Sequence, residues 1–154
     1  MTRYPILFNR RELIEGNGFV AGVAVRGRAL LTDEEEEGEY WVEGVNPGGF
    51  AARGGSPSEA LAAFVAELRT VLFDIATDGR SFEEFRADVE KFFHETNKIA
   101  LAEWEEAVQE VRNGRVKVDW LTHRPAESPL GIEVLLIRQP QASNNREGEA
   151  ALAA

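Results

Sequence analysis

The chain has 154 residues, of which 44% are hydrophobic and 29% charged, and its formal net charge of −10 corresponds to a pI near 4.8. This composition is typical of a folded globular domain, whereas so acidic a balance argues against strong nucleic-acid binding, which depends on Lys and Arg neutralising phosphates. The absence of cysteine excludes disulfides, thiolate zinc sites and cysteine nucleophiles.

The two histidines, His94 and His123, are too few to suggest an imidazole metal site, and we expect neither a metal nor another cofactor. No segment approaches the roughly 20 consecutive apolar residues that a bilayer span requires. The N-terminal segment lacks the apolar stretch and small-residue cleavage site of a signal peptide. We therefore expect a cytoplasmic protein without membrane contact.

The first third of the chain predicts strands. Residues 1–18 mix apolar and charged residues and end in a turn-rich break, and no element is assigned to them. Residues 19–31 are rich in Val and Ala but contain Gly22 and Gly27, and an internal glycine often marks a bulge or a turn. This segment therefore predicts either a pair of strands or one long bent strand.

Three shorter segments continue the strand pattern. Asp33–Glu37 is an acidic loop closed by a glycine, and Glu39–Val45 alternates between two faces as a strand does. Asn46–Gly49 contains the Pro and Gly that a tight turn favours, and Phe50–Arg53 makes a short strand. Together they predict an antiparallel meander of about three strands.

A long helix is predicted to begin after Ser56. The Ser56 side chain supplies an N-cap oxygen, Pro57 suits the first helical position, and Glu59 is placed to accept from the Ser56 amide, which completes a capping box. The helix is predicted to end at Asp78-Gly79. Between these ends the apolar residues recur every three or four positions, at Leu61, Phe64, Val65, Leu68, Val71, Leu72 and Ile75.

Two further helices follow. Ser81 and Glu84 form a second capping signal, ahead of an apolar face that carries four phenylalanines, Phe82, Phe85, Phe92 and Phe93. Thr96-Asn97 breaks this helix. A third helix is predicted from about Lys98 to Asn113, where Gly114 ends it.

The C-terminal part predicts two strands and a tail. Arg115–Trp120 alternates as a half-buried strand does, and Ile132–Ile137 is a second strand. Residues 139–154 are polar and then alanine-rich, and predict a flexible tail. The sequence thus predicts one α+β domain over residues 1–138, an antiparallel three-stranded meander packed on a long helix in a β-β-β-α-β core, with two inserted helices at about 81–113.

One surface is a candidate for partner binding. Its members are the five consecutive acids of the loop, Asp33, Glu34, Glu35, Glu36 and Glu37. They suit contact with a basic partner, although a solvated hairpin loop is the commoner interpretation of such a run. Because they lack the ligand spacing and the Gly of a calcium loop, we predict no metal-binding residue here.

No catalytic set is recognisable. The glycine-rich segments at 44–49 and 53–55 lack a following P-loop lysine and are typical of turns. A general base needs a positioned partner, and the sequence pairs neither His94 nor His123 with a nucleophile or a carboxylate. The phenylalanine cluster is more typical of a core stripe than of a ligand pocket or a dimer face. We predict no catalytic residue, and therefore a protein that is not an enzyme.

The stretch Tyr40–Leu61, YWVEGVNPGGFAARGGSPSEAL, resembles the HicB-type antitoxin domain: a strand, a Pro/Gly turn, a short strand ending in Gly, a cap and a long helix. The resemblance covers roughly residues 19–76. It implies a partial, catalytically degenerate ribonuclease-H-like β-β-β-α-β fold, with Ile132–Ile137 or Arg115–Trp120 as the strand after the helix. The helices at 81–113, and the lack of a ribbon-helix-helix or helix-turn-helix segment after the domain, depart from the family pattern.

The resemblance also implies a function. It implies a protein-binding module that covers the active site of a small, basic, messenger-RNA-cleaving toxin, a partner for which the −10 charge and the Asp33–Glu37 loop are complementary. The alternative is a small ligand-binding protein or enzyme with a pocket between the sheet and the Phe-rich helices. A homo-oligomer formed through an exposed edge strand is a third hypothesis.

Overall fold

The computed structural model describes residues 1–139 and confirms the α+β class, with a five-stranded antiparallel sheet packed against helices. In chain order the elements are β1 (Thr2–Gly16), β2 (Phe19–Glu34), β3 (Glu39–Asn46), β4 (Ala51–Gly54), α1 (Pro57–Asp78), α2 (Phe82–His94), α3 (Lys98–Arg112) and β5 (Gly131–Arg138). Within this range no helix is long and apolar enough to cross a membrane. From residue 140 onward, the tail predicted at 139–154 lies outside the described residues.

The sheet is built on β2. Along one side β2 pairs with all 15 residues of β1. Its other side is shared, because β5 pairs with residues 20–26 and β3 with residues 28–34. The sheet is therefore four strands wide at one end, in the order β1-β2-β3-β4, and three strands wide at the other, β1-β2-β5. The strand predicted at Ile132–Ile137 is confirmed as β5.

β1 is the strand that the sequence did not predict. Ile6 and Ile14 are buried on one face, as alternation along a strand allows. Arg10 and Glu12 share this face between them and break the apolar pattern, and Arg10 is exposed. Glu12 is nonetheless only 9% exposed, with Arg10 Nε at 2.8 Å from its Oε1 and Arg69 Nε of α1 at 3.5 Å from its Oε2. Arg69, which compensates the charge of Glu12, is distant in sequence and meets Glu12 only in the folded chain. The local sequence therefore does not indicate this strand.

The segment 19–31 lies within one continuous strand, not a pair. Gly27 allows close approach there, because a Cβ atom would lie 2.2 Å from the Asn46 carbonyl oxygen and 2.6 Å from the Phe8 ring. The register of β2 against β3 shifts just beyond it, between Arg28 and Ala29, which is the irregularity that an internal glycine suggested. The meander β2-β3-β4 is confirmed.

Helices α1 and α2 pack on one face of the sheet, and α3 packs on the other. Side chains alternate along a strand, so Val23 and Leu31 of β2 are buried on the α1 and α2 side, whereas Leu30 is buried beside Trp104 of α3. The α3 cluster contains residues from the four-stranded end of the sheet and none from β5. Within residues 1–139, nothing packs over that face of the three-stranded end.

The chain passes between the two faces at the joint of α2 and α3. Here the β3–β4 turn binds the linker: the Asn97 amide donates to the Val45 carbonyl at 3.1 Å, and the Gly48 amide donates to the Glu95 carbonyl at 2.9 Å. These bonds attach both inserted helices to the edge of the meander.

The helix starts follow the predicted caps, with one difference. The Ser56 hydroxyl accepts from the Glu59 amide at 3.1 Å, and the Ser81 hydroxyl accepts from the Glu84 amide at 3.2 Å. The Glu59 carboxylate, however, accepts from the Gly55 amide at 3.0 Å and not from the Ser56 amide. The reciprocal bond of the capping box therefore falls one residue earlier than predicted.

Residues 113–130 connect α3 to β5 without a helix or a strand, so the strand predicted at Arg115–Trp120 is wrong. Local hydrogen bonds occupy groups that a strand ladder would use. The first two amides of the predicted strand both donate to the Glu110 carbonyl, at 3.0 and 3.3 Å, and the Val118 carbonyl accepts from His123 at 2.6 Å. The C-terminal part described here thus has one strand where the sequence predicts two.

Candidate functional site

The five predicted partner-binding residues lie together in the β2–β3 hairpin, at the four-stranded end of the sheet. We call Asp33–Glu37 the acidic hairpin. Its first two residues end β2 and are half-buried, whereas Glu35–Glu37 are exposed in the turn. Gly38 adopts φ 63°, which lets the chain turn back into β3. The fold therefore concentrates five carboxylates at one tip.

The acidic hairpin carries little compensating positive charge. None of its five acids forms an ion pair with another residue of 1–139, and the nearest pair in sequence joins Arg53 Nη1 to Glu39 Oε2 at 4.0 Å. Its negative field reaches Tyr4, whose pKa is raised first by burial and then by Asp33, Tyr40 and Glu35. Across residues 1–139, no three carboxylate or imidazole groups gather in a way that could hold a metal ion.

The phenylalanines of α2 pack against the sheet. Phe85 is fully buried and Phe93 is 5% exposed. Phe82 lies edge-on to Phe19 of β2, with 6.0 Å between ring centroids. These rings belong to the same apolar cluster as the inner face of β2. Aromatic side chains therefore occupy the space between the sheet and α2 in which a pocket was considered.

The two histidines lie in different parts of the fold. His94 ends α2 and is exposed, with its ring edge-on to Phe93 at 5.3 Å. His123 lies in the 113–130 connection and bonds the Val118 carbonyl. Neither histidine hydrogen-bonds a hydroxyl or a carboxylate of the described part of the chain. The structure does not bring them together.

A cleft of about 510 Å³ lies between β1, α3 and the 113–130 connection, and we call it the β1–α3 cleft. The sequence did not predict it. The signal that could have indicated it is the length of the connection, since a loop longer than about 12–15 residues without secondary structure is usually functional or disordered. The walls include Leu7 of β1 and Trp104, Val108 and Val111 of α3.

The uncovered face of the three-stranded end carries exposed apolar side chains. We call Leu13, Leu135 and Ile137 the open half-sheet; they are 63%, 53% and 57% exposed. Gly22 of β2 pairs with Leu13 of β1 on one side and with Leu135 of β5 on the other, so the two leucines lie on either side of it. Because a protein exposing such a contiguous apolar patch commonly uses it for association, the open half-sheet is a second candidate interface.

Comparison of the chain with protein-family models, curated proteins and solved structures gives no match.

Proposed function

We propose that this chain is a non-catalytic, HicB-like protein-binding module that binds a small basic protein through the acidic hairpin. In this proposal the partner is a messenger-RNA-cleaving toxin, which the chain neutralises as an antitoxin. The observation that carries the proposal is the acidic hairpin, five successive carboxylates gathered at one tip of the sheet without an ion-pair partner in residues 1–139.

The order of the elements supports the family part of the proposal. The resemblance at Tyr40–Leu61 implies three strands, a long helix and a returning strand. β2, β3, β4, α1 and β5 follow one another in that order, with α2 and α3 inserted before the last strand. β5 returns beside β2, the first strand of that series. β1 is an addition on the opposite side of β2.

The physical role of the acidic hairpin follows from its exposure. A single exposed ion pair contributes only about 0–1 kcal/mol to binding. Complementary charge acts more strongly on the rate and orientation of docking, and salt screens it over about 10 Å at 0.1 M. We therefore expect the association rate with a basic partner to fall steeply as salt rises, while the dissociation rate changes less.

The test uses the full chain and a small basic protein, which the proposal expects the neighbouring gene to encode. Association rates are measured by stopped flow at low and high salt, and RNA cleavage by the partner is measured with and without the chain. The hairpin variant replaces the five acids by their amides, Asp33→Asn and Glu34→Gln through Glu37→Gln. At low salt we expect its association rate to be lower by about tenfold or more, because the steering charge is gone.

A matched control variant replaces five exposed helical acids that form no ion pair in the described chain, Glu67, Asp74, Asp88, Glu105 and Glu106, by their amides. Both variants change the net charge by the same amount. Equal slowing in both would attribute the effect to overall charge and reject the hairpin as the site. A neighbouring basic protein that forms no complex would reject the antitoxin role, and RNA cleavage by this chain alone would reject a non-catalytic function.

A further inference from the structure

The β1–α3 cleft has both apolar and polar lining residues, and none of the five acids of the acidic hairpin lines it. Its walls include Leu7, Trp104, Val108, Val111, Val118 and Leu121. Its volume of about 510 Å³ falls within the roughly 300–1,000 Å³ of small-molecule sites, which are also mostly apolar with a few polar groups. The interior therefore suits the hydrocarbon part of a small ligand.

Trp104 is a fixed part of this wall. It is 4% exposed, and its indole Nε1 donates to the Ile6 carbonyl at 3.2 Å. The guanidinium of Arg28 lies over its ring, 5.0 Å from the centroid. These two contacts hold the ring in place before any ligand enters, so the cleft does not depend on a mobile aromatic side chain.

The charged side chains that line the cleft are basic. They are Arg112 and Arg124, and His123 also lines the cleft. No Asp or Glu among residues 1–139 lines it, although acids outnumber Lys and Arg by 27 to 17 in the chain. Arg112 is bound to the Glu127 carboxylate. Arg124 forms no ion pair with any residue in 1–139. One guanidinium at the cleft thus remains without an anionic partner in the described chain.

His123, the residue before Arg124, adds another polar group to the lining. A carbonyl oxygen only accepts hydrogen bonds, so the bond to Val118 places the hydrogen on His123 Nε2. The other ring nitrogen, Nδ1, makes no hydrogen bond with the described residues. Tyr4, which also lines the cleft, lies in the negative field of Asp33 and Glu35. The surroundings of Tyr4 and of Arg124 therefore favour opposite charges in a ligand.

We propose that the β1–α3 cleft binds a small amphipathic monocarboxylate, with its hydrocarbon part against Trp104 and its carboxylate at Arg124. A guanidinium matches the two oxygens of a carboxylate in a bidentate geometry. A single unpaired guanidinium in a chain of net charge −10 suits one negative charge better than the two of a phosphate monoester. The negative field at Tyr4 also favours placing the carboxylate at Arg124, because a carboxylate beside Tyr4 would be repelled.

The test measures binding of octanoate and hydrocinnamate to the full chain by isothermal titration calorimetry, below the concentration at which octanoate forms micelles. Octanol serves as the neutral analogue. We expect one site for at least one of the two carboxylates, and at least about tenfold weaker binding of octanol, since a hydrogen bond to a charged group is lost. The two acids distinguish an aliphatic from an aromatic ligand, and binding of either supports the proposal.

Two variants locate the site. Arg124→Gln is expected to weaken carboxylate binding about tenfold or more, whereas Arg80→Gln, an exposed arginine without an ion pair in the described chain, is expected to leave it unchanged. Ala126→Phe places a ring at the cleft wall and is expected to abolish binding, with thermal unfolding used to verify that the variant folds. Absence of binding by both acids, or equal affinity in Arg124→Gln and Arg80→Gln, would overturn the proposal.

Discussion

Glu43 is a carboxylate whose surroundings oppose its charge. It lies in β3 on the side of the sheet that α3 covers, and its pKa is raised first by burial and then by Glu103 of α3. Arg3 acts in the other direction, but its Nε is also 3.5 Å from Glu103 Oε2. One arginine is thus shared between two carboxylates.

We expect Glu43→Gln to raise the melting temperature at neutral pH. A carboxyl with a higher pKa in the folded than in the unfolded chain holds its proton more tightly when folded, so stability falls as the pH rises through that range. The increase in melting temperature should become smaller as the pH falls toward about 4.3, the ordinary pKa of Glu, because the wild-type Glu43 side chain then becomes neutral too. Melting temperatures of both proteins between about pH 7 and pH 3 provide the measurement.

The matched control for this change is Glu106→Gln, at an exposed position on α3 that forms no ion pair with the described residues. It removes the same charge without a buried environment, so its melting temperature should follow that of the wild type more closely across the same range. A Glu43→Gln protein that melts below the wild type at neutral pH would contradict the interpretation of Glu43 as a carboxylate stabilised by protonation.

Single residues were predictable where their partners are close in sequence. Ser56 bonds an amide three positions away, so the cap can be identified from four residues. Glu12 is compensated by Arg69, which is distant in the chain and adjacent only after α1 packs on β1. The bond between the Glu59 carboxylate and the Gly55 amide is an intermediate case. The two residues are close in sequence, yet the direction of the backbone decides which of two neighbouring amides donates to the carboxylate.

At the scale of elements, α2 buries Phe85, Val89 and Phe93 in the core, and Phe85 is the largest of the fully buried ones. We expect Phe85→Ala to lower the free energy of unfolding by about 3–5 kcal/mol, since the change removes a buried ring and leaves a cavity. Phe82→Ala should cost less, because that side chain is only half-buried. Urea unfolding of the two variants measures both effects.

His94→Ala is the control on the same helix, and its exposed position predicts a change within about 0.5 kcal/mol. If Phe85→Ala were as stable as His94→Ala, the assignment of α2 as a core element would be wrong. The phenylalanine face would then be available for a ligand, as the alternative hypothesis from the sequence supposed.

The two C-terminal segments show that alternation of side chains alone does not identify a strand. Arg115–Trp120 and Ile132–Ile137 both suggested strands, yet the second alone forms one. β5 lies beside residues 20–26 of β2, on the side that β3 leaves free. Periodicity shows which side chains suit a half-buried surface, but a strand also needs an accessible backbone edge.

The β1–α3 cleft was not predictable for a related reason. Its walls come from parts of the chain nearly 100 residues apart, as the Ile6–Trp104 bond illustrates.

At the scale of the whole molecule, β5 offers an edge for self-association. One side of β5 pairs with β2, and no described strand pairs with the other side. Antiparallel pairing with a second copy about a two-fold axis at Leu135 would place Leu135 against itself and Val134 against Leu136 of the second copy. Opposed residues share a face in such a pair, so the apolar residues would meet. We expect a concentration-dependent dimer in analytical ultracentrifugation.

Leu135→Lys should shift this dimer toward the monomer, because it places two like charges in direct opposition. The control is Ile99→Lys, which changes an equally apolar residue, 77% exposed on α3 and away from β5. A wild-type protein that is monomeric at all accessible concentrations, or a dimer that both variants weaken equally, would reject β5 as the interface.

The antiparallel course of β1 and β5 along β2 determines where attached groups would sit. Thr2 pairs with Asp33, beside the acidic hairpin, whereas Arg138 pairs with Val20 at the opposite end of the same strand. Thirteen positions of β2 separate these points, a span of about 43 Å at about 3.3 Å per residue. A fluorescent protein fused before Thr2 would crowd the surface proposed for the basic partner and leave the β5 edge accessible. An internal label placed at Arg138 would crowd the β5 edge and leave the acidic hairpin accessible. One pair of labelled proteins can therefore report on the two interfaces separately.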